Sequence, residues 1–320
     1  MLIIIILTGL VIRYLFFSSL NGIITYSDSS TYLMGAKTIS EKLWVNEYRP
    51  PVYPAALALI GMVFSWEHLD IGVILLQIIV SSVNTVFVYK IVQTAFGSRI
   101  QAYITAFLVS VGFRIYSWDF VILSENFSIL LVTLITYCTI LYIKNSNPKQ
   151  IKILTVLQLV AILTKPFFLL LPFATAFLIL SKRLISGGKS LLSHVKLLLP
   201  GLITIYLGVI GYSLVNLAQN GYFGVSTVGN VNYFGKILQY DMYDLGDNDM
   251  LKDQIEYAIN NENPEYIVNN SFLEPWHFVV KYGWNKEHYR DISEFSKKIM
   301  LSHPFTYTGK SLALTYELFT

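Results

Sequence analysis

Charge is what this chain has least of: 13% of its 320 residues are Asp, Glu, Lys or Arg, against 54% hydrophobic ones. With a mean hydropathy of +0.54, that balance excludes a soluble domain of this length. Cysteine occurs once, at Cys138 in an apolar run, which excludes an intrachain disulfide and leaves the redox compartment unread. No P-loop and no G-x-G-x-x-G opens a helix, so a soluble nucleotide-sugar site has no support. The formal net charge of +3 is too small to point to nucleic acid. Around Leu2–Ser19 both a basic n-region and an A-x-A cleavage site are missing, and this first apolar run reads as an uncleaved span.

What is plentiful is apolar sequence in runs of about 17–25 residues, the length that a hydrocarbon core about 30 Å thick requires. After Leu2–Ser19 come Ile71–Phe96, Ile100–Tyr116, Phe127–Ile143, a short run ending at Thr164-Lys165-Pro166, a return through Phe167–Leu180, and Val195–Leu217. Pro54–Trp66 is apolar but too short to cross, and reads as a helix lying in the interface. The expectation is an all-α polytopic membrane protein: a helix bundle over 1–217, a polar segment over 218–304, and over 305–320 an apolar stretch that looks like the start of a further span, cut short.

The few charges are not scattered. Three connectors carry Lys90 and Arg99, then Lys144, Lys149 and Lys152, then Lys182, Arg183, Lys189 and Lys196, with no acidic residue among them. The alternate loops hold Asp28, Glu41, Glu47, Glu67, Asp70, Asp119 and Glu125. By the positive-inside rule the first set is cytoplasmic and the N-terminus is inside. Asp28, Glu125, Lys165 and the polar C-terminal segment then share the outer face of the membrane.

Polar chemistry concentrates in Tyr26–Pro54, YSDSSTYLMGAKTISEKLWVNEYRPPVYP. This loop brings together a carboxylate (Asp28), Tyr32, Tyr53, Arg49 and the stiff Pro50-Pro51 pair. Each group has a plain structural reading. Ser27, Asp28 or Ser29 suits a helix N-cap, and Arg49-Pro50-Pro51 a rigid helix entry with an interfacial arginine. Glu125 suits a helix-dipole partner, and Lys165-Pro166 a snorkelling lysine before a helix-starting proline. Arg13, near the end of the first run, either snorkels to the interface or points into a polar cavity.

Taken in order, the features form a pattern: an apolar span, an acidic loop with D-x-x-x-Y, R-P-P-x-Y-P, a long span ending near F-G, a Ser-Glu island, and a basic residue with proline at the next outer turn. This order resembles the GT-C superfamily of integral-membrane glycosyltransferases, in the branch of the protein O-mannosyltransferases and the bacterial aminoarabinose transferase. The likeness covers about Gly9–Phe234, and RPPVYPAALALIG with its upstream Asp is its specific part. Two departures stand out: many relatives have Asp-Glu or Asp-Asp in the first loop where Asp28 is followed by Ser29, and the usual eleven to thirteen spans are not reached.

The resemblance implies a polyprenyl-phosphate-linked sugar as donor, a lipid, glycan or protein as acceptor, and work done at the outer face of the plasma membrane. Inverting transfer needs a base for the acceptor proton while the donor phosphate departs. Asp28 is the expected base, and Arg49 and Lys165 the expected phosphate ligands. Tyr32, Tyr53 and Glu125 are expected to bind substrate. A divalent cation shared by Asp28 and Glu125 stays open, since three oxygen ligands or fewer would leave it mostly hydrated.

Two other classes compete. A transporter would carry its charges near the midplane on broken helices in two similar halves, whereas these acids cluster outside the runs. An inactive GT-C-like scaffold for cell-envelope glycan assembly is the other alternative, motivated by the single acid in the first loop. In the polar segment, DMYDLGDNDMLKD (Asp241–Asp253) lacks EF-hand spacing and reads as a solvated acidic face. Tyr257, Tyr266, Trp276, His277, Trp284 and His288 suit a partly packed cap over the site. Asn126 and Asn269 head glycosylation triplets by pattern alone.

Overall fold

The computed structural model describes residues 1–20, 22–185, 191–261 and 288–317. The fold is all-α: 83% of the described residues are helical and no strand occurs among them. It divides into two compact units, Met1–Ser226 and Thr227–Thr320.

The first unit begins with α1 (Leu2–Ser18), α2 (Ser27–Lys42), α3 (Val52–Phe64), α4 (Leu69–Phe96), α5 (Arg99–Val111) and α6 (Phe113–Tyr116). A 3-10 turn, Ser117–Phe120, leads to α7 (Glu125–Asn145) and α8 (Pro148–Ile162). A second 3-10 turn, Pro166–Leu170, precedes α9 (Leu171–Ile185) and α10 (Leu191–Asn220). The ends follow local chemistry. Gly97 takes the left-handed conformation (φ 74°) that closes α4, and Ser98 caps α5 by accepting from Gln101 N–H at 3.3 Å. Asn147 caps α8 in the same way, with Pro148 in the first turn.

By length and composition, α4, α7 and α10 can each cross a membrane. A fourth crossing arises if α5 and Phe113–Phe120, bent by 55°, count as one. These four correspond to four of the seven runs expected from the sequence. The other three form helices shorter than a standard span. For α8, with 15 residues, the length is about 22 Å at about 1.5 Å per residue. Lys165 in extended conformation, followed by Pro166, stops helical continuation there, because proline cannot donate and disfavours a helical residue before it. The α5 run breaks at Gly112, which is extended (φ −69°, ψ 111°). The 13 residues of α3 span about 20 Å, short of the hydrocarbon thickness.

Packing in this unit forms neighbouring cores. Leu131, Ile135, Tyr142, Leu154, Ile162, Ile179 and Ile205 join α7, α8, α9 and α10. Tyr32, Ala36, Tyr53, Leu57, Val73 and Ile122 join α2, α3 and α4 to the segment before α7. The second core lies directly under the polar loop read from the sequence.

The second unit holds α11 (Val228–Gln239), a 3-10 turn at Tyr243–Leu245, α12 (Asp249–Asn261), α13 (Tyr289–Ser302) and α14 (Pro304–Glu317). Its own core contains Phe234, Ile237, Met242, Leu251, Ile255, Ile292, Phe295 and Ile299. In the acidic stretch Asp247 pairs with Lys298, and Asp249 with Lys252 at 3.6 Å. Tyr257 is exposed; Tyr266, Trp276, His277, Trp284 and the triplet at Asn269 lie outside the described residues.

Candidate active site

The start of α2 decides how Asp28 is used. The N-cap is Tyr26, not Ser27, Asp28 or Ser29; Ser29, at the third helical position, supplies the capping-box side chain, its Oγ accepting from Tyr26 N–H at 2.9 Å and donating to Ile122 C=O at 2.9 Å. Ser29 is buried, so an acid in its place would bring a carboxylate against that carbonyl oxygen. The departure from Asp-Glu or Asp-Asp thus has a local physical reason. Asp28 sits in the first turn of α2, where the helix dipole favours a negative charge. Its side chain remains 47% exposed while Oδ1 meets Arg49 Nη2 at 2.6 Å.

Arg49 is buried. Its Nε donates to Thr31 Oγ1 at 2.6 Å, and its guanidinium lies 4.6 Å from the centre of the Tyr32 ring, a cation–π contact. The carboxylate therefore meets a guanidinium already oriented by two neighbours.

Tyr32 and Tyr53 lie beneath this pair, 3% and 1% exposed, and meet edge to face at 5.1 Å. Tyr32 Oη is 3.0 Å from Ser124 Oγ. Tyr53 donates to Gln77 Oε1 at 3.3 Å and packs on Phe127 at 5.3 Å. Burial pushes the Tyr53 phenol well above its ordinary value, with Tyr32 and Glu125 adding to the effect. Both tyrosines, expected from the sequence to bind substrate, are buried within the candidate site, and neither ring forms an open surface.

A second ion pair completes the group. Glu125 opens α7, and its Oε1 accepts from Lys165 Nζ at 2.7 Å, with the side chains 25% and 35% exposed. Glu125 Oε2 is buried and has no hydrogen-bond partner among the described residues. The two pairs are linked through intermediate residues: Tyr32, under Arg49, reaches Ser124, next to Glu125. Val52 N–H, three residues after Arg49, donates to Leu163 C=O at 3.2 Å, two residues before Lys165. All six site residues expected from the sequence thus belong to one bonded neighbourhood. Among the described residues no group of three His, Cys, Asp or Glu side chains comes together.

Other residues were noticed in the sequence without a place in the site, or were missed there. Arg13 does not snorkel; it is 3% exposed and its Nε bonds Asp119 Oδ2 at 2.5 Å, with Asp119 fully buried. Asn126 is 2% exposed and donates to Asp119 Oδ1 at 2.7 Å, which withdraws it from its glycosylation triplet. Gln77 donates to the Asp119 and Val121 carbonyls at 3.1 and 3.0 Å. Asp119, read from the sequence as an outer-loop acid, is instead buried; the available signal was Arg13 inside an apolar run, since a charge placed there needs a partner.

Residues 48–209 match the model of the dolichyl-phosphate-mannose-protein mannosyltransferase family, just over half of the 320-residue chain. The chain belongs to this family. It is an integral-membrane glycosyltransferase of the GT-C type. The matched segment includes Arg49, Tyr53, Asp119, Glu125 and Lys165 and begins downstream of Asp28 and Tyr32. No curated protein and no solved structure matches the chain significantly.

Proposed function

We propose that this glycosyltransferase moves a sugar from a polyprenyl-phosphate donor to a hydroxyl of a lipid, glycan or protein acceptor, with inversion, and that Asp28 is the base. The observation that carries this reading is the pairing of each candidate carboxylate with a candidate phosphate-binding cation, Asp28 with Arg49 and Glu125 with Lys165, on turns bonded to one another. The acceptor oxygen attacks the anomeric carbon from the face opposite the phosphate, and its proton passes to the Asp28 carboxylate. The bond from the anomeric carbon to the phosphate oxygen breaks, and polyprenyl phosphate departs with the electron pair. Asp28 combines anionic character, partial exposure and a fixed partner, as a general base requires. Arg49 and Lys165 stabilise the departing phosphate by charge-assisted hydrogen bonds, and Glu125 orients Lys165 and a sugar or acceptor hydroxyl. The lysine-rich connectors support a site on the extracytoplasmic face of the plasma membrane.

The test uses the full chain in nanodiscs with polyprenyl-phosphate mannose first, then other polyprenyl-phosphate sugars. Transfer from at least one is expected, with competition by sugar-free polyprenyl phosphate. Arg49→Ala and Lys165→Ala should each weaken that competitor by about tenfold or more, and Lys165→Arg should keep part of the affinity. A wild-type chain that neither binds the lipid phosphate nor transfers from any such donor would overturn the reading.

A further inference from the structure

Asp119 is 0% exposed and both of its carboxylate oxygens are occupied. Oδ2 accepts from Arg13 Nε at 2.5 Å and Ser81 Oγ at 2.9 Å, and Oδ1 from Asn126 Nδ2 at 2.7 Å. Arg13 spreads its remaining contacts over three helices. Its Nη1 donates to Gly9 C=O at 3.0 Å and Ser110 C=O at 2.8 Å, and its Nη2 to Ser81 Oγ at 3.1 Å. A Cβ at Gly9 would lie 2.1 Å from Ser110 Oγ, so the absence of a side chain there lets α1 approach α5 closely enough for this fork to form. One guanidinium and one carboxylate therefore tie α1, α4, α5, the Ser117–Phe120 turn and the start of α7.

Neither group reaches the surface, so neither touches a substrate. Asn126, however, is bonded to Asp119 and directly follows Ser124 and Glu125, which meet Tyr32 and Lys165. Gln77 links the Asp119 carbonyl to Tyr53 in turn. A buried ion pair is seldom better for stability than well-packed apolar side chains of the same volume. What it supplies here is direction, because hydrogen bonds define angles and apolar contacts do not.

We propose, resting on the glycosyl-transfer reading above, that Arg13 and Asp119 are positioning residues: through Asn126 they fix the 117–126 segment, and with it the direction from which Glu125 faces the Lys165 turn. The bonds from this segment to Ile24 strengthen the constraint, Ile24 N–H to Phe120 C=O at 2.8 Å and Ile122 N–H to Ile24 C=O at 3.2 Å. Ile24 precedes the Asp28 turn, so one buried pair sets both halves of the site.

Two variants test this in the full chain in nanodiscs. Arg13→Met/Asp119→Leu replaces the pair by apolar side chains and is expected to keep its thermal stability. Asn126→Leu cuts only the link to α7 and leaves the ion pair. In both, kcat for transfer should fall by about 10- to 100-fold, as a displacement near 1 Å produces. The KM for the donor should stay within about threefold, because Arg49 and Lys165 are retained. Amide hydrogen exchange across 117–126 should quicken in both variants while the rest of α7 keeps its protection. A folded variant with wild-type kcat overturns the proposal. If no donor supports transfer in the wild-type chain, the functional reading fails and hydrogen exchange decides the positioning alone. Faster exchange over 117–126 then supports it, and wild-type protection overturns it.

Discussion

Arg13–Asp119 and Arg49–Asp28 join the same two functional groups at nearly the same separation, 2.5 Å and 2.6 Å, in opposite surroundings. The first pair is sealed, with side-chain exposures of 3% and 0%. In the second, Arg49 is buried and Asp28 is 47% open. Burial makes the first pair costly to break and unable to meet a ligand, so its effect is on geometry. In the second, the exposed carboxylate is open to solvent, which is what the proposed role as a base requires. A short arginine–aspartate distance therefore does not itself mark a candidate base; the environment of the carboxylate separates the two cases.

The largest expected effect lies at the open carboxylate. Asp28→Asn keeps the shape and the first-turn position but removes the proton acceptor. Transfer is expected to fall by about two to four orders of magnitude with thermal stability and donor binding near those of the wild type. An Asn variant transferring at close to the wild-type rate would erase the functional contrast and make Glu125 the next candidate base.

At the sealed pair the expected loss is of folding. Asp119→Ala strands the Arg13 charge in the core and should lower stability by about 3–5 kcal/mol, read by thermal or denaturant unfolding in a fixed detergent. The double apolar variant should be far less damaging than this single one. If single and double variants are equally unstable, the pair is a fold requirement first and the comparison loses its edge.

The smallest expected effect is at Ser29, which supplies the capping-box side chain of α2 and holds Ile122. Ser29→Ala removes two hydrogen bonds and should cost about 1 kcal/mol while leaving the Asp28–Arg49 pair in place, so stability drops slightly and transfer persists. A loss as large as that of Asp28→Asn would show that the cap, and not the carboxylate, limits the reaction.

Much of this was legible in the chain because membrane sequence is a restricted language. Hydrocarbon tolerates few charges, so a rare Asp, Arg, Glu or Lys at a run's edge carries information that it would lack on a soluble surface. Asp28, Arg49, Glu125 and Lys165 were found that way, and they meet as bonded pairs. The same scarcity pointed to Arg13 and Asp119, but these lie 106 positions apart, and nothing local shows that each is the other's partner. Asn126 shows the limit most clearly: its triplet carries a surface pattern, and only the fold places the amide against a buried carboxylate.

The sequence by itself determined the all-α membrane class, the short α3, the stop at Lys165-Pro166 and the set of polar residues from which a site can be built. All of these follow from local composition, helix length and proline geometry. The tertiary structure alone decided which charge pairs with which, that Tyr26 and Ser29 rather than Asp28 form the cap of α2, and that Tyr32 and Tyr53 are buried. The physical reason is that ion pairs and burial depend on distances between residues far apart in the chain, and hydrophobic periodicity specifies which face is buried without specifying what it is buried against.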